Sequence, residues 1–184
     1  MPNWCYNNVT LTHDEPEMID RAISGFQNDT LANEFVPLPE SEKDNWYDWR
    51  VSNWGTKWDF GGKEYDREDG NTVRFSFDTA WSPPVEFFRQ LEELGFTVRA
   101  MYYEPGMAFC GIYEDGFDDN YELGGMDSDE VENTIPQELD EAFAISEQMA
   151  DWESEQEYDE EDQENLDIDL DNGLSATNEG HENE

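Results

Sequence analysis

Residues 73–114, VRFSFDTAWSPPVEFFRQLEELGFTVRAMYYEPGMAFCGIYE, read as strand, helix, strand, tight turn and strand. Val73, Phe75 and Phe77 alternate with Arg74, Ser76 and Asp78, the period of two that marks a half-buried strand. Ser82 stands where a helix cap belongs, and Pro83 and Pro84 suit a first turn whose N–H groups have no intrahelical partner. Phe87 or Phe88, Leu91 and Leu94 form the apolar stripe, and Gly95 is a left-handed stop. Strands over 97–104 and 107–114 follow, joined by Pro105-Gly106, which fits the centre of a type II turn. The unit prescribes a fold and carries no catalytic chemistry.

Upstream, residues 4–12 (WCYNNVTLT) place Cys5, Val9 and Leu11 on one face of a first strand. Asp14 and Glu17 have the spacing of a capping box, with Pro16 in the first turn, and Ile19, Ala22, Ile23 and Phe26 then recur at helical spacing. Between 30 and 72 the pattern weakens: an extended segment at 35–39, a short helix over 41–51, and a Gly-rich charged turn to Asn71. A strand over 56–60 that pairs with 73–79 completes the order β-α-β-β-α-β with one further strand. The expected class is α+β, a ferredoxin-like sheet with an extra strand and an acidic C-terminal extension, part helical and part without fixed structure.

Charge divides the 184-residue chain. The net charge is −39, all nine Lys and Arg fall at or before Arg99, and the segment from Ala100 holds 29 of the 48 acids. This predicts a domain over 1–123 with an insertion at 30–72, an acidic linker and amphipathic helix over 124–153, and an acidic tail over 154–184, unfolded when free. The helix begins at a capping-box pattern, Thr134 to Gln137, and its stripe of Leu139, Ala142, Phe143, Met149 and Trp152 either docks onto the chain's own core, the favoured reading, or seats a partner. A short edge strand precedes it near Phe117, Tyr121 and Leu123.

Such a surface repels phosphate backbones, so direct nucleic-acid binding is not expected, and a basic partner is favoured instead. The same composition also suits a solvated brush that only keeps the protein soluble. Cys5 and Cys110 fall in strands and read as buried, reduced thiols of a cytosolic protein. Met1-Pro2-Asn3 leads into a strand without an apolar leader, and no run approaches the roughly 20 apolar residues of a membrane helix.

Three separated motifs, Met1-Pro2-Asn3-Trp4-Cys5, NWGTKWD at 53–59 and DTAWSPP at 78–84, together resemble the YubB-type ferredoxin-like proteins of bacteriophages and plasmids. The resemblance covers roughly residues 1–115. It implies a ferredoxin-like domain of phage or plasmid origin acting in the cytoplasm of a bacterial host, and it supplies no catalytic residues. The acidic extension lies outside it.

Trp54, Lys57, Trp58 and Asp59, with Asp78, Thr79, Trp81 and Ser82, are the candidates for a surface site at one end of the sheet. Their alternative role is structural: tryptophans that plug the core, with Lys57 paired to Asp59 or Asp78. His13 and His181 are too isolated for a metal cluster or nucleophile pair, and no cofactor is implied. Asp167, Asp169 and Asp171 have the spacing of a calcium loop but lack its Gly and closing Glu. Pro2, exposed by removal of Met1, would be a tautomerase-like general base, the third reading. Residues 165–174 (NLDIDLDNGL) alternate aliphatics with acids, as a docking strand or as a solvated tail.

The leading expectation is a non-catalytic phage-type protein that inhibits a basic host factor, one that normally binds nucleic acid or acts in antiviral defence. The contact residues are the carboxylates Asp151, Glu153, Glu155, Glu157, Asp159, Glu160, Glu161, Asp162, Glu164, Asp167, Asp169 and Asp171, imitating nucleic acid. The alternative is an assembly or virion-associated module that uses the Trp-rich sheet end, centred on Trp54, Trp58 and Trp81, with the tail only for solubility.

Overall fold

A computed structural model describes residues 3–156. The chain is α+β, built on a six-stranded sheet whose neighbouring strands all pair antiparallel. In chain order it runs β1 (Trp4–Thr12), α1 (Pro16–Gln27), α2 (Leu31–Phe35), a 3₁₀ turn (Glu40–Asn45), α3 (Trp46–Trp54), β2 (Tyr65–Arg67), β3 (Thr72–Ala80), α4 (Val85–Glu93), β4 (Thr97–Glu104), β5 (Phe109–Glu114), β6 (Phe117–Glu122), α5 (Ser128–Thr134) and α6 (Gln137–Phe143). Residues 145–156 continue as a helix. The sheet order is β2-β3-β1-β4-β5-β6, so β1 is central, between β3 and β4.

Alternation along the strands separates two cores. On one face Val9, Leu11, Val73, Phe75, Phe77, Val98 and Ala100 meet α1, α2 and α4 through Ile19, Phe26, Leu31, Phe87, Phe88 and Leu91. Phe26 stacks on Phe75 at 4.2 Å and Phe60 on Phe77 at 4.6 Å. Both Phe87 and Phe88 are buried, and Gly95 ends α4 at φ 94. On the opposite face Tyr103 and Cys110 meet Leu123, Val131, Ile135, Leu139 and Ile145, so the acidic helices cover β4 and β5. The amphipathic segment therefore does dock on the chain's own core. The β1–β3 half of that face stays open, with Trp4, Tyr6 and Asp78 exposed.

Several local expectations are corrected. Residues 56–60 are not a strand: Phe60 O accepts from Leu31 N (3.1 Å) and Gly62 N donates to Phe26 O (2.9 Å), so this backbone is spent on the α1–α2 corner. The strand beside β3 is the short, exposed β2. Ser82 caps nothing. Its Oγ donates to Gly55 O at 2.6 Å, and α4 begins at Val85 behind Pro84. Asp14 makes no capping box either, since α1 has Glu15 at its N-cap without a side-chain bond. The short helix expected over 41–51 is a 3₁₀ turn followed by α3, which runs on to Trp54. The turn after β4 spans Pro105–Ala108 and takes its positive φ at Ala108, not Gly106, while the buried Glu104 carboxylate accepts from Gly106 N and Met107 N.

In the acidic half the capping box belongs to α5, where Asp127 accepts from Glu130 N and Glu130 reaches back to Asp127 N. The helix expected from Thr134 to Glu153 is two helices. Ala144 turns left-handed (φ 50), and the Asp140 carboxylate accepts from Ser146 N and Oγ just beyond the break. Leu139 and Ile145 are fully buried there, whereas Trp152 is 63% exposed and is not part of the docked stripe. Cys5 and Cys110 lie in β1 and β5, buried and unpaired. No helix among the described residues is long and apolar enough to cross a membrane.

Candidate binding surfaces

The motif residues at 54–59 and 78–82 divide into support and surface. Trp54 is fully buried, a correction to its place among the surface candidates; its indole N–H donates to Val36 O at 2.9 Å. The Arg50 guanidinium lies over its ring at 4.7 Å and over Trp46 at 5.3 Å, which holds the polar α3 against the core. Asp59 is also structural: its carboxylate accepts from Ala32 N (2.8 Å), Asn33 N (3.0 Å) and Phe60 N (2.9 Å), closing the start of α2. Burial nonetheless pushes its carboxyl above the usual range, and those bonds oppose the shift. Thr79 is buried and donates to Ser82 O, fixing the turn out of β3.

What remains at the surface is an aromatic array. Trp4, Trp58 and Trp81 stand in a row, with ring centroids 6.1 Å apart for Trp4–Trp58 and 6.3 Å for Trp58–Trp81. All three are about two-fifths exposed. The Lys57 ammonium sits over Trp58 at 4.6 Å, Trp81 at 5.2 Å and Tyr47 at 5.8 Å, and among the described residues it makes no ion pair, so the expected bridge to Asp59 or Asp78 is absent. Trp81 adopts φ 67, a left-handed conformation that is costly for a bulky side chain, with its N–H bonded to Asn3 O at 2.9 Å. Trp4 was missing from the sequence candidates. Its alternation with the buried Cys5 was the available signal, since it sends Trp4 to the open face.

The second surface is acidic. Seventeen Asp and Glu fall between residues 100 and 156, with no Lys or Arg among them. Arg99 borders this region and ties it to the sheet, pairing with Glu114 (3.2 Å) on β5 and Glu138 (2.7 Å) on α6. Some of the acids are structural. Asp118 accepts from Tyr102 Oη (2.6 Å), and Glu153 accepts from Ser128 N (2.9 Å) and Oγ (2.6 Å) at the start of α5. Burial, reinforced by that bond to Asp118, holds the Tyr102 hydroxyl protonated well above its ordinary range. Asp119, Glu122, Asp129, Glu132, Glu147, Asp151 and Glu155 are exposed and carry no ion pair or side-chain hydrogen bond among the described residues.

Of the twelve predicted contact acids, Asp151 and Glu155 are thus free at the surface and Glu153 is committed to α5. Glu157, Asp159, Glu160, Glu161, Asp162, Glu164, Asp167, Asp169 and Asp171 lie outside the described residues, as do Pro2, the 165–174 segment and His181. The acids of β6, α5 and α6 are not among the contact residues expected from the sequence, which places them in an edge strand, an acidic linker and an amphipathic helix.

No protein-family model matches the chain, and no curated protein matches it. Among solved structures it is similar to the crystal structure of the protein api92 from Yersinia pseudotuberculosis, family model DUF1281, at 22% identity and a TM-score of 0.40. The match covers 51% of this chain and 39% of the other, so the chain spans about two-fifths of that protein's length.

Proposed function

We propose that this is a non-catalytic accessory protein of the phage or plasmid type that binds a basic host protein and blocks its nucleic-acid site. Its scaffold is a ferredoxin-like βαββαβ domain: β1, α1, β2, β3, α4 and β4 occur in that order, and the sheet order β2-β3-β1-β4 supports the reading. β5 and β6 extend the β4 edge, and the acidic helices pack behind them.

One observation carries the proposal: among the described residues, acids between 100 and 156 are held on packed strands and helices, with one base, Arg99, at their border. The spacing is apt. α5 has seven residues and carries Asp129, Glu130 and Glu132. Asp129 and Glu132, three residues apart on one side of the helix, stand about 4.5 Å apart along its axis, of the order of the roughly 3.4 Å between charges along one strand of DNA, while Glu130 closes the capping box. A basic groove that neutralises phosphates gains the same counterion release from such an array.

The test is affinity purification from the bacterial host with the full chain and with the chain ended after Gln156. That boundary keeps Glu153 at the start of α5, which deletion from Asp151 would remove. The expected partner is a nucleic-acid-binding protein retained by both forms, more weakly by the shorter one, and released as salt rises from 0.05 to 0.3 M, where screening tightens below about 10 Å. A partner with a neutral or acidic surface, or retention insensitive to salt, overturns the proposal.

A further inference from the structure

The acidic face leaves the aromatic end of the sheet without a role. There Trp4 and Trp58, inclined at 38°, line a cavity of about 260 Å³ together with Asp78, Asp59, Asp29 and Phe60. It is too small for most drug-sized ligands, which take about 300–1,000 Å³. The carboxylates are unequal. Asp59 is committed to backbone N–H groups, and Asp29 faces Lys63 at 3.8 Å. Asp78 accepts no hydrogen bond and meets no base among the described residues. Lys57 already shows what these rings hold: a cation against the faces of Trp58 and Trp81.

We propose that the Trp4–Trp58 cavity receives one arginine or lysine side chain of a basic partner protein. The alkyl chain would lie between the indoles and the charged head would meet Asp78. Three carboxylates exclude an anion, and an apolar group would leave Asp78 desolvated beside it without a counter-charge. Cations over indole faces are the favourable match. The carrier rests on the functional reading above; the ligand chemistry does not.

The probe is the peptide acetyl-Gly-Gly-Arg-Gly-Gly-amide, compared with its neutral citrulline counterpart and titrated into the isotope-labelled full chain while the indole N–H resonances are followed. The arginine peptide should shift the Trp4 and Trp58 signals saturably, and the citrulline peptide should bind at least about fivefold more weakly. Asp78→Asn should weaken the arginine peptide by a similar factor, and Trp58→Ala should abolish the shifts. Ending the chain after Gln156 should leave them unchanged, so this pocket and the acidic array fail or succeed separately. Equal binding of both peptides, indifference to Asp78→Asn, or shifts confined to α5 and α6 overturns the proposal. Should Trp58→Ala unfold, Asp78→Asn still decides.

Discussion

Undocking the acidic helices without altering a single charge separates an ordered array from a charged brush. Leu139 and Ile145 are fully buried against β4 and β5, in the cluster that also holds Val131 and Ile135. Removing a buried Leu or Ile side chain to Ala costs about 2–5 kcal/mol, so Leu139→Ala with Ile145→Ala costs roughly 4–10 kcal/mol if the effects add. α6 is seven residues long, well short of the ~12–15 at which isolated helices become even marginal, so docking is what keeps it formed. The lower figure for Leu139→Ala alone, about 2 kcal/mol, raises the open population about 30-fold. Hydrogen exchange should show fast amides through α5, α6 and 145–156, with β1 and β3 still protected. Net charge stays at −39, yet affinity for the basic partner should fall at least tenfold. Full affinity in a double variant whose helices exchange freely would refute the claim that geometry matters beyond charge.

Other consequences are more local. Gly111→Ala should destabilise the sheet by at least about 1–3 kcal/mol in urea titrations, because a Cβ there would run into the Tyr102 ring and lie 2.6 Å from Asp119 O; a wild-type midpoint would contradict this packing. Burial pushes the Cys110 thiol up to about 12 and Cys5 higher still, so neither should react with a thiol reagent at pH 8 until the protein unfolds. Rapid labelling of the native chain would be the contrary result. Asp78 is raised above its ordinary 3.8 by burial, so the folded state binds that proton more readily than the unfolded one. Its penalty therefore appears as pH rises from about 3.8 through the raised value and persists above it. Asp78→Asn should melt higher than wild type at pH 7, with the gain vanishing below about pH 4; a gain that persists at pH 3 would count against this origin.

The well-read parts of the chain are those where a period and a boundary residue agree. β3 and the first half of β4 alternate, α4 buries Phe87, Phe88 and Leu91 at helical spacing although Leu94 is exposed, and Gly95 closes the helix between the strands. Residues 30–72 are opaque because tertiary contacts decide them. α3 (WYDWRVSNW) has no apolar stripe, and Trp54 is buried by an indole hydrogen bond and a stacked Arg50, which no periodicity encodes. β2 is three exposed residues, and the segment expected to pair with β3 in its place serves α2 through Asp59. Capping patterns misled at Asp14, Ser82 and Thr134, while Asp127–Glu130, which forms the box, went unread. At the aromatic end the motif residues were legible, but not which tryptophan turns inward. That depends on the left-handed turn at Gly55, which ends α3 with Trp54 in the core.

The most direct test is equilibrium competition between the full chain and duplex DNA for the recovered host protein, across a range of salt concentrations. Mutually exclusive binding is predicted, with log affinity for this chain falling steeply and linearly as log salt rises. A stable ternary complex of chain, host protein and DNA, or an affinity indifferent to salt, would contradict it.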